Sequence, residues 1–382
     1  MELPAIDWEM RMNETVLITG GAGFIGRFVA EELLSRGCHV RALDALIPQV
    51  HGQIDRPPLL HDDVELVRAD IRDGAAVARA LQGCDSVIHL AAEVGVGQSM
   101  YEVERYTSAN DVGTAVLFER LIDQPVRRVV TASSMSIYGE GLYRNADGHL
   151  IEDAERGMVR DGQKVWDPLD TQGRPLAPLP TPEWKRPSLA SIYALNKYVQ
   201  ERTTHIMAAP YGIESVCLRL FNVYGPGQAL SNPYTGVLAI FASRLLNGQR
   251  PMIFEDGEQR RDFVHVRDVA RAFADALVLP QAAGQTFNIG SGDDRSVTEV
   301  AQALARAMGR NDAEPEIVGK ARIGDIRHCF CDTSLAAREL GFEARQDFEQ
   351  GLAELAEWVQ QQTAEDRVSQ ARAELEARGL VA

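Results

Sequence analysis

The chain has 382 residues, enough for a large core and two lobes. A hydrophobic content of 45% with 25% charged residues is that of an ordinary soluble globular protein. The net charge of −16 argues against nucleic acid or an acidic membrane surface as a partner, so an anionic ligand would need its own local cations.

Taken in chain order, residues 1–12 read as a loose acidic leader without the cationic and apolar regions of a signal peptide. Thr15–Thr19 is a short apolar run ending in glycines, as a buried parallel strand does. Phe24–Arg36 has helical periodicity and stops at Gly37. Strands follow at His39–Asp44, Val64–Asp70, Asp85–Leu90 and Arg128–Ser133, with helices over Ala75–Leu81 and Gly113–Leu121. Alternating strands and helices predict an α/β fold, a doubly wound parallel sheet of the Rossmann type with right-handed crossovers. The rhythm breaks between Gly139 and Pro187, a Pro- and Gly-rich stretch that reads either as a long loop over the active site or as a surface excursion with no role. A helix carrying Tyr193 follows, then a strand over Ile213–Leu220. The remainder is less regular until helices at Ser296–Met308 and Phe348–Gln361. Ala364–Arg378 reads as a charged, solvent-facing helix. The implied organisation is a cofactor domain over 13–217 with an insertion at 140–187, to which 258–290 returns. A smaller, discontinuous substrate lobe takes 218–257 and 291–370.

Cys38, Cys84, Cys217, Cys329 and Cys331 form no CxxC pair and no metal-ligand spacing, so a reduced, cytoplasmic compartment and no metal are expected. No apolar run reaches the roughly 18 residues a membrane span needs.

Two elements carry chemistry. Gly20, Gly21, Gly23 and Gly26 fall at the first strand-to-helix turn, where residues without Cβ let backbone approach a pyrophosphate and the helix N-terminus faces its charge. Asp44 ends the next strand, placed to bond ribose hydroxyls and repel a 2′-phosphate, which favours NAD over NADP, although nearby Arg41 could soften the preference. Tyr193 and Lys197 stand four apart on one helix face, where a cation beside a phenol lowers its pKa and readies it for proton transfer with a hydroxyl. Together they indicate redox chemistry at a carbinol carbon.

With these motifs the chain resembles the extended short-chain dehydrogenase/reductase family, in its nucleotide-sugar epimerase and dehydratase branch, over about residues 14 to 360. The matching segments are Thr19–Gly26, Asp70-Ile71, His89–Ala92, Asn110, Ser133-Ser134, Tyr193 with Lys197, Leu218–Asn222 and Arg261–Val266. The resemblance implies an NAD site built from Gly20, Gly23, Phe24, Ile25, Gly26, Asp44, Asp70, Ile71, Leu90, Ala91, Ala92, Asn110, Ser133, Tyr193 and Lys197. It implies a catalytic set of Ser134, Tyr193 and Lys197, with Ser133 as the alternative serine. Asn222 would meet the substrate's phosphate or sugar, Arg261 would clamp the diphosphate, and Arg327 would be a second clamp; arginine's fork suits that task. A homodimer built on helices near Gly113–Leu121 and Ser191–Ala208 is also implied.

Relatives that go on to dehydrate or decarboxylate the sugar carry acids just after the catalytic serine or threonine; here Met135 and Ser136 follow Ser134. The 4-keto intermediate is then expected only to be reduced again, giving 4-epimerisation. The segments Asp44–Gly52, Val94–Tyr101 and Ser231–Gly236 are similar to those of bacterial dTDP-sugar epimerases, so a dTDP-6-deoxyhexose such as dTDP-L-rhamnose is the expected substrate. A UDP-hexose 4-epimerase is the near alternative. A net 4-ketoreductase would want NADPH, against which Asp44 speaks. A silent dinucleotide-binding module would lose Tyr193 or Lys197, and both are present.

Overall fold

The computed structural model describes residues 13–156, 165–322 and 324–381. The expected leader over 1–12 and part of the insertion lie outside the described residues. Seven strands form one parallel sheet: β1 Thr15–Thr19, β2 His39–Asp44, β3 Glu65–Arg68, β4 Ser86–His89, β5 Arg128–Ser134, β6 Glu214–Leu220 and β7 Thr286–Ile289. Their spatial order is β3-β2-β1-β4-β5-β6-β7. The order reverses between β1 and β4, with Thr19 aligned to Leu43 on one side and to His89 on the other. A crevice opens at the carboxyl ends of the strands at such a switch point.

Helices cover both faces: α1 Phe24–Ser35, α2 Gly74–Leu81, α3 Gly113–Asp123 and α4 Ile192–Ala208, followed by α5 Val237–Leu246, α6 Val266–Val278, α7 Val297–Ala307, α8 Phe348–Gln360 and α9 Val368–Ala377. On one face Val29 and Leu33 of α1 pack with Val269, Phe273 and Leu277 of α6 over Ile18 and Ile88. The other face closes with Val77 of α2 and Leu117, Phe118 and Leu121 of α3 over Leu17 and Val87. All of these side chains are buried, each contributing about 1.5–3 kcal/mol. α5, α7 and α8 build a separate core around Phe241, Leu304 and Leu352.

Helix α6 and strand β7 extend the sheet's coverage where the sequence reads as irregular. Val266–Val278 carries a clear helical pattern, with Arg267, Asp268, Arg271 and Asp275 on one face and Val269, Phe273 and Leu277 turned to α1, so its signal lies in the sequence. The insertion also differs from expectation. Leu142–Arg144 pairs antiparallel with Leu150-Ile151 and with Ala177–Leu179. Thr181 bridges to Cys331, and Gly141 N–H donates to His328 O at 2.8 Å. The described part is a small sheet fastened to the 326–332 segment, and it contributes no wall to the central cavity.

The tail helix α9 is likewise no solvent-facing appendage, since Ala371 and Leu375 are buried. Glu374 Oε2 accepts from the hydroxyls of Tyr101 (3.1 Å) and Tyr234 (3.2 Å). The tail therefore straps the 95–101 loop to the 228–236 loop. Its charge pattern concealed this because only two of its residues turn inward. All five cysteines are free, and no helix among the described residues is long and apolar enough to cross a membrane.

Candidate active site

A cavity of about 580 Å³ lies at the switch point, between the sheet and the α5–α8 lobe. Gly20, Gly23, Phe24, Ile25, Gly26, Asp44, Asp70, Ile71, Leu90, Ala91, Ala92, Ser133, Ser134, Tyr193, Lys197 and Asn222 all line it. The sequence named these from segments spread along two hundred residues, and the parallel sheet brings them to one edge.

The glycine turn fits a dinucleotide. Gly20 has φ +71, and a Cβ there would meet Ala91 N at 2.8 Å. A Cβ on Gly26 would meet Gly20 O at 2.5 Å, so β1 and α1 could not stay so close. Gly23 caps α1 without any side-chain bond to its first amides, which leaves those donors facing the cavity for phosphate. Asp44 Oδ2 accepts from Ala22 N at 3.0 Å and Oδ1 from Leu46 N at 2.9 Å, which fixes a carboxylate beside the turn. These residues would hold NAD, whose bound form supplies a hydride acceptor. Arg41 does not soften this arrangement: it donates to Glu65 and to the carbonyls of Ala80 and Gln82, away from the cavity.

Ser134 and Ser133 separate clearly. Ser133 donates to Glu201 Oε2 at 2.7 Å, and Glu201 is paired with Arg219, so its hydroxyl is engaged behind the sheet. Ser134 ends β5, accepts from Ser136 N and Oγ at 3.1 and 2.9 Å, and hydrogen-bonds Tyr193. Ser191 caps α4 by accepting from Ala194 N, and Tyr193 N donates to Ser99 Oγ at 3.1 Å, so the first turn of α4 is fixed at both sides.

Tyr193 departs from the simple electrostatic expectation. Burial pushes its phenol up to about 12, opposed by the hydrogen bond with Ser134; Lys197 is not among the groups that move it. Burial lowers Lys197 to about 8, and its Nζ donates to Gln200 Oε1 at 2.8 Å. The ammonium is thus anchored by the next turn of the same helix.

Three residues leave the expected site. Asn110 is fully buried in a π turn, donating to Glu93 O at 3.1 Å and accepting from Glu93 N at 2.7 Å. Its amide fixes the Glu93–Val94 wall instead of lining the cavity. Arg261 is turned away from the cavity; its guanidinium donates to the carbonyls of Arg260, Arg327 and Ile326. Arg327, only 2% exposed, is bound by Asp167, Glu255 and Asp256. Burial works against that cation, but Asp256 and Asp167 outweigh it and hold its pKa above the ordinary arginine value. A guanidinium so enclosed by carboxylates is part of the lobe's scaffold, not a diphosphate clamp.

Other wall residues gave no sequence signal. Gln228 Oε1 is buried without a partner among the described residues, an acceptor open to a ligand. Arg27 and Arg72 add charge to the wall. The acids of the wall are Asp44, Asp70 and Glu93. Asp70 is bonded by Arg72, whose side-chain hydrogen bond lowers its pKa, and Glu93 by Arg105 at 3.0 and 2.8 Å. Among the described residues no carboxylate stands next to Ser134, where Met135 and Ser136 open a short 3₁₀ turn.

The model of the NAD dependent epimerase/dehydratase family matches residues 16–157 and 176–290, and the gap falls within the insertion. A dTDP-L-rhamnose 4-epimerase from Burkholderia thailandensis is 37% identical over 355 residues, covering 92% of this chain and 96% of that protein. A UDP-glucose 4-epimerase from Mycolicibacterium smegmatis is 33% identical, with 90% and 97% covered. The crystal structure of a Thermotoga maritima UDP-glucose 4-epimerase with UDP-glucose superposes with a TM-score of 0.73 at 31% identity, covering 90% of this chain and 98% of that one. The glycine cradle, the Ser134–Tyr193–Lys197 cluster and these likenesses agree: the chain belongs to the NAD dependent epimerase/dehydratase family and is an NAD-dependent nucleotide-sugar epimerase.

Proposed function

We propose that the chain is a 4-epimerase of a dTDP-linked 6-deoxyhexose such as dTDP-L-rhamnose. The observation that carries this reading is the cavity wall: Ser134, Tyr193 and Lys197 meet there while every acid of the wall is already hydrogen-bonded. Ser134 would orient the C4 hydroxyl and Tyr193 would take its proton; NAD, held by the glycine turn and Asp44, would supply the hydride acceptor for C4. Lys197 keeps positive charge beside the proton's path. With no base placed for C5, the ketone keeps its neighbouring C–H bonds. It turns over, regains hydride on the opposite face, and Tyr193 returns the proton. Redox state and water balance are unchanged over the cycle. The named B. thailandensis relative supports the thymidine-linked sugar, and the UDP-glucose relatives keep UDP-hexose as the second reading.

Incubation with dTDP-L-rhamnose and, separately, with UDP-glucose, followed by proton NMR, tests the choice. Inversion at C4 of dTDP-L-rhamnose, without added cofactor, is expected. Loss of water from the sugar or consumption of added NADPH would overturn it, and faster turnover of UDP-glucose would install the second reading.

The same reading includes a homodimer. Val112 and Ile122 along α3 and its preceding turn, with Leu195 and Ile206 of α4, are exposed large apolar side chains. Such a stripe on two adjacent helices supports a four-helix interface with a second copy. Sedimentation velocity should give a dimer for the natural chain and a monomer for Ile206→Lys. A natural chain that stays monomeric at micromolar concentration removes this part of the proposal.

A further inference from the structure

Lys197 is oriented by a residue that the family motif does not include. Gln200 lies three positions after Lys197 and seven after Tyr193, so all three share one face of α4. It is 1% exposed, far too buried to be left without partners. Its oxygen accepts from Lys197 Nζ at 2.8 Å. Its nitrogen donates to Thr114 Oγ1 at 2.9 Å and to Ala91 O at 3.3 Å.

The surrounding bonds decide which way the amide points. Thr114 Oγ1 lies 2.6 Å from Asn110 O and accepts from Gln200 Nε2 at 2.9 Å, while His89 Nε2 lies 2.9 Å from Thr114 Oγ1 and 3.2 Å from Gln200 Nε2. His89 Nδ1 lies 2.7 Å from Thr19 Oγ1, so both ring nitrogens are engaged inside the fold. Burial first and Lys197 second push His89 down to about 3, so it stays neutral. Turning the Gln200 amide over would set its NH₂ against the ammonium and its oxygen against Ala91 O. With the Lys197 ammonium on one side and Ala91 O on the other, the Gln200 amide has one orientation, its oxygen toward Lys197.

We propose that Gln200 is a positioning residue for the reaction: it anchors the Lys197 ammonium from behind, and its bond to Ala91 O ties that anchor to the cofactor-lining end of β4. The proposal rests on the catalytic reading of Tyr193 and Lys197. The titratable groups nearest Lys197 are His89 at the end of β4 and Cys217 on β6, with Tyr193 one turn back on its own helix. His89 is neutral, and burial drives the Cys217 thiol well up, so it is neutral too. A carboxylate at position 200 would therefore be the new charge in the shell.

Two variants and a pH series test this. Gln200→Leu removes the anchor without adding charge; kcat should fall by about 10- to 100-fold, with the sugar KM and the bound NAD content held within twofold. Gln200→Glu is nearly the same shape and pairs with the ammonium; the rising limb of the kcat–pH profile should move about one unit to the alkaline side, because the new carboxylate cancels positive charge in the site. If Gln200→Leu does not fold, the Gln200→Glu profile decides alone. Wild-type kcat and an unmoved profile in Gln200→Glu would overturn the proposal. Lys197→Met separates the two levels: if it is inactive while both Gln200 variants behave as wild type, only Gln200's role fails. If Lys197→Met itself is fully active, the catalytic reading beneath it fails.

Discussion

Replacing Tyr193 by Phe is expected to lower kcat by about 10³-fold while leaving NAD bound, since one hydroxyl is the group that exchanges a proton with the sugar. The argument is geometric. Tyr193 is the titratable group hydrogen-bonded to Ser134, and the first turn of α4 is fixed by the Ser191 cap and by Ser99. The ring keeps its packing in the Phe variant, so the fold and the glycine cradle should survive. Lowered turnover with unchanged cofactor absorbance is the expected pair of readings. Turnover within tenfold of the natural chain would remove Tyr193 from the proton path. Its phenol, raised to about 12 by burial, makes the case more demanding: ionisation near neutral pH requires positive charge in the site. Lys197, held near 8 by burial, is largely charged only below that pH.

Arg327→Ala should act on stability and not on the sugar. Arg327 Nη1 lies 3.1 Å from Glu255 Oε2 and 2.6 Å from Asp256 Oδ1, and its Nε lies 2.7 Å from Asp167 Oδ1. Arg156 completes the cluster, bridging Glu140 at 3.0 Å and Glu255 at 2.6 Å. Glu255 is 1% exposed and sits at φ +58, a conformation its side chain does not favour and that the two arginines hold in place. Removing Arg327 leaves that carboxylate with half its charge partners in a dry site, which costs about 3–5 kcal/mol. Urea unfolding should show the loss, with the KM of the folded fraction unchanged. Undiminished stability together with a tenfold rise in KM would restore Arg327 to the substrate and overturn its scaffold role.

This cluster also explains the insertion. Glu140, Arg156 and Asp167 come from the insertion and its approach, while Glu255, Asp256 and Arg327 come from the substrate lobe. The pairing fastens the extra segment to the lobe's flank. A Pro-rich stretch displays its lack of periodicity in the sequence, but not which distant charges it will meet.

Much of the cofactor half was legible because its signals are local. Thr15–Thr19 is apolar over the length of a strand, the glycines follow without a gap, and Asp44 ends the next such run. Hydrophobic periodicity and backbone sterics dictate these features within a dozen residues, whatever the rest of the chain does. Tyr193 and Lys197 were legible for the same reason, since four residues is one helical turn. Val266–Val278 carries the same kind of signal, with Arg267, Arg271 and Asp275 spaced one helical turn apart.

What tertiary structure alone decided was where each polar side chain ends. The sequence placed Arg261, Arg327 and Asn110 in a ligand site by their motifs. The fold gives them to the carbonyls of Arg260, Ile326 and Arg327, to three carboxylates, and to the backbone of Glu93. The same long-range packing chose Ser134 over Ser133, and it brought Gln200, Thr114 and His89 from three separate elements to the back of Lys197. Backbone conformation is dictated by near neighbours along the chain. A buried hydrogen bond is dictated by whichever partners the closed fold leaves within about 3 Å, and those are set only when the elements pack.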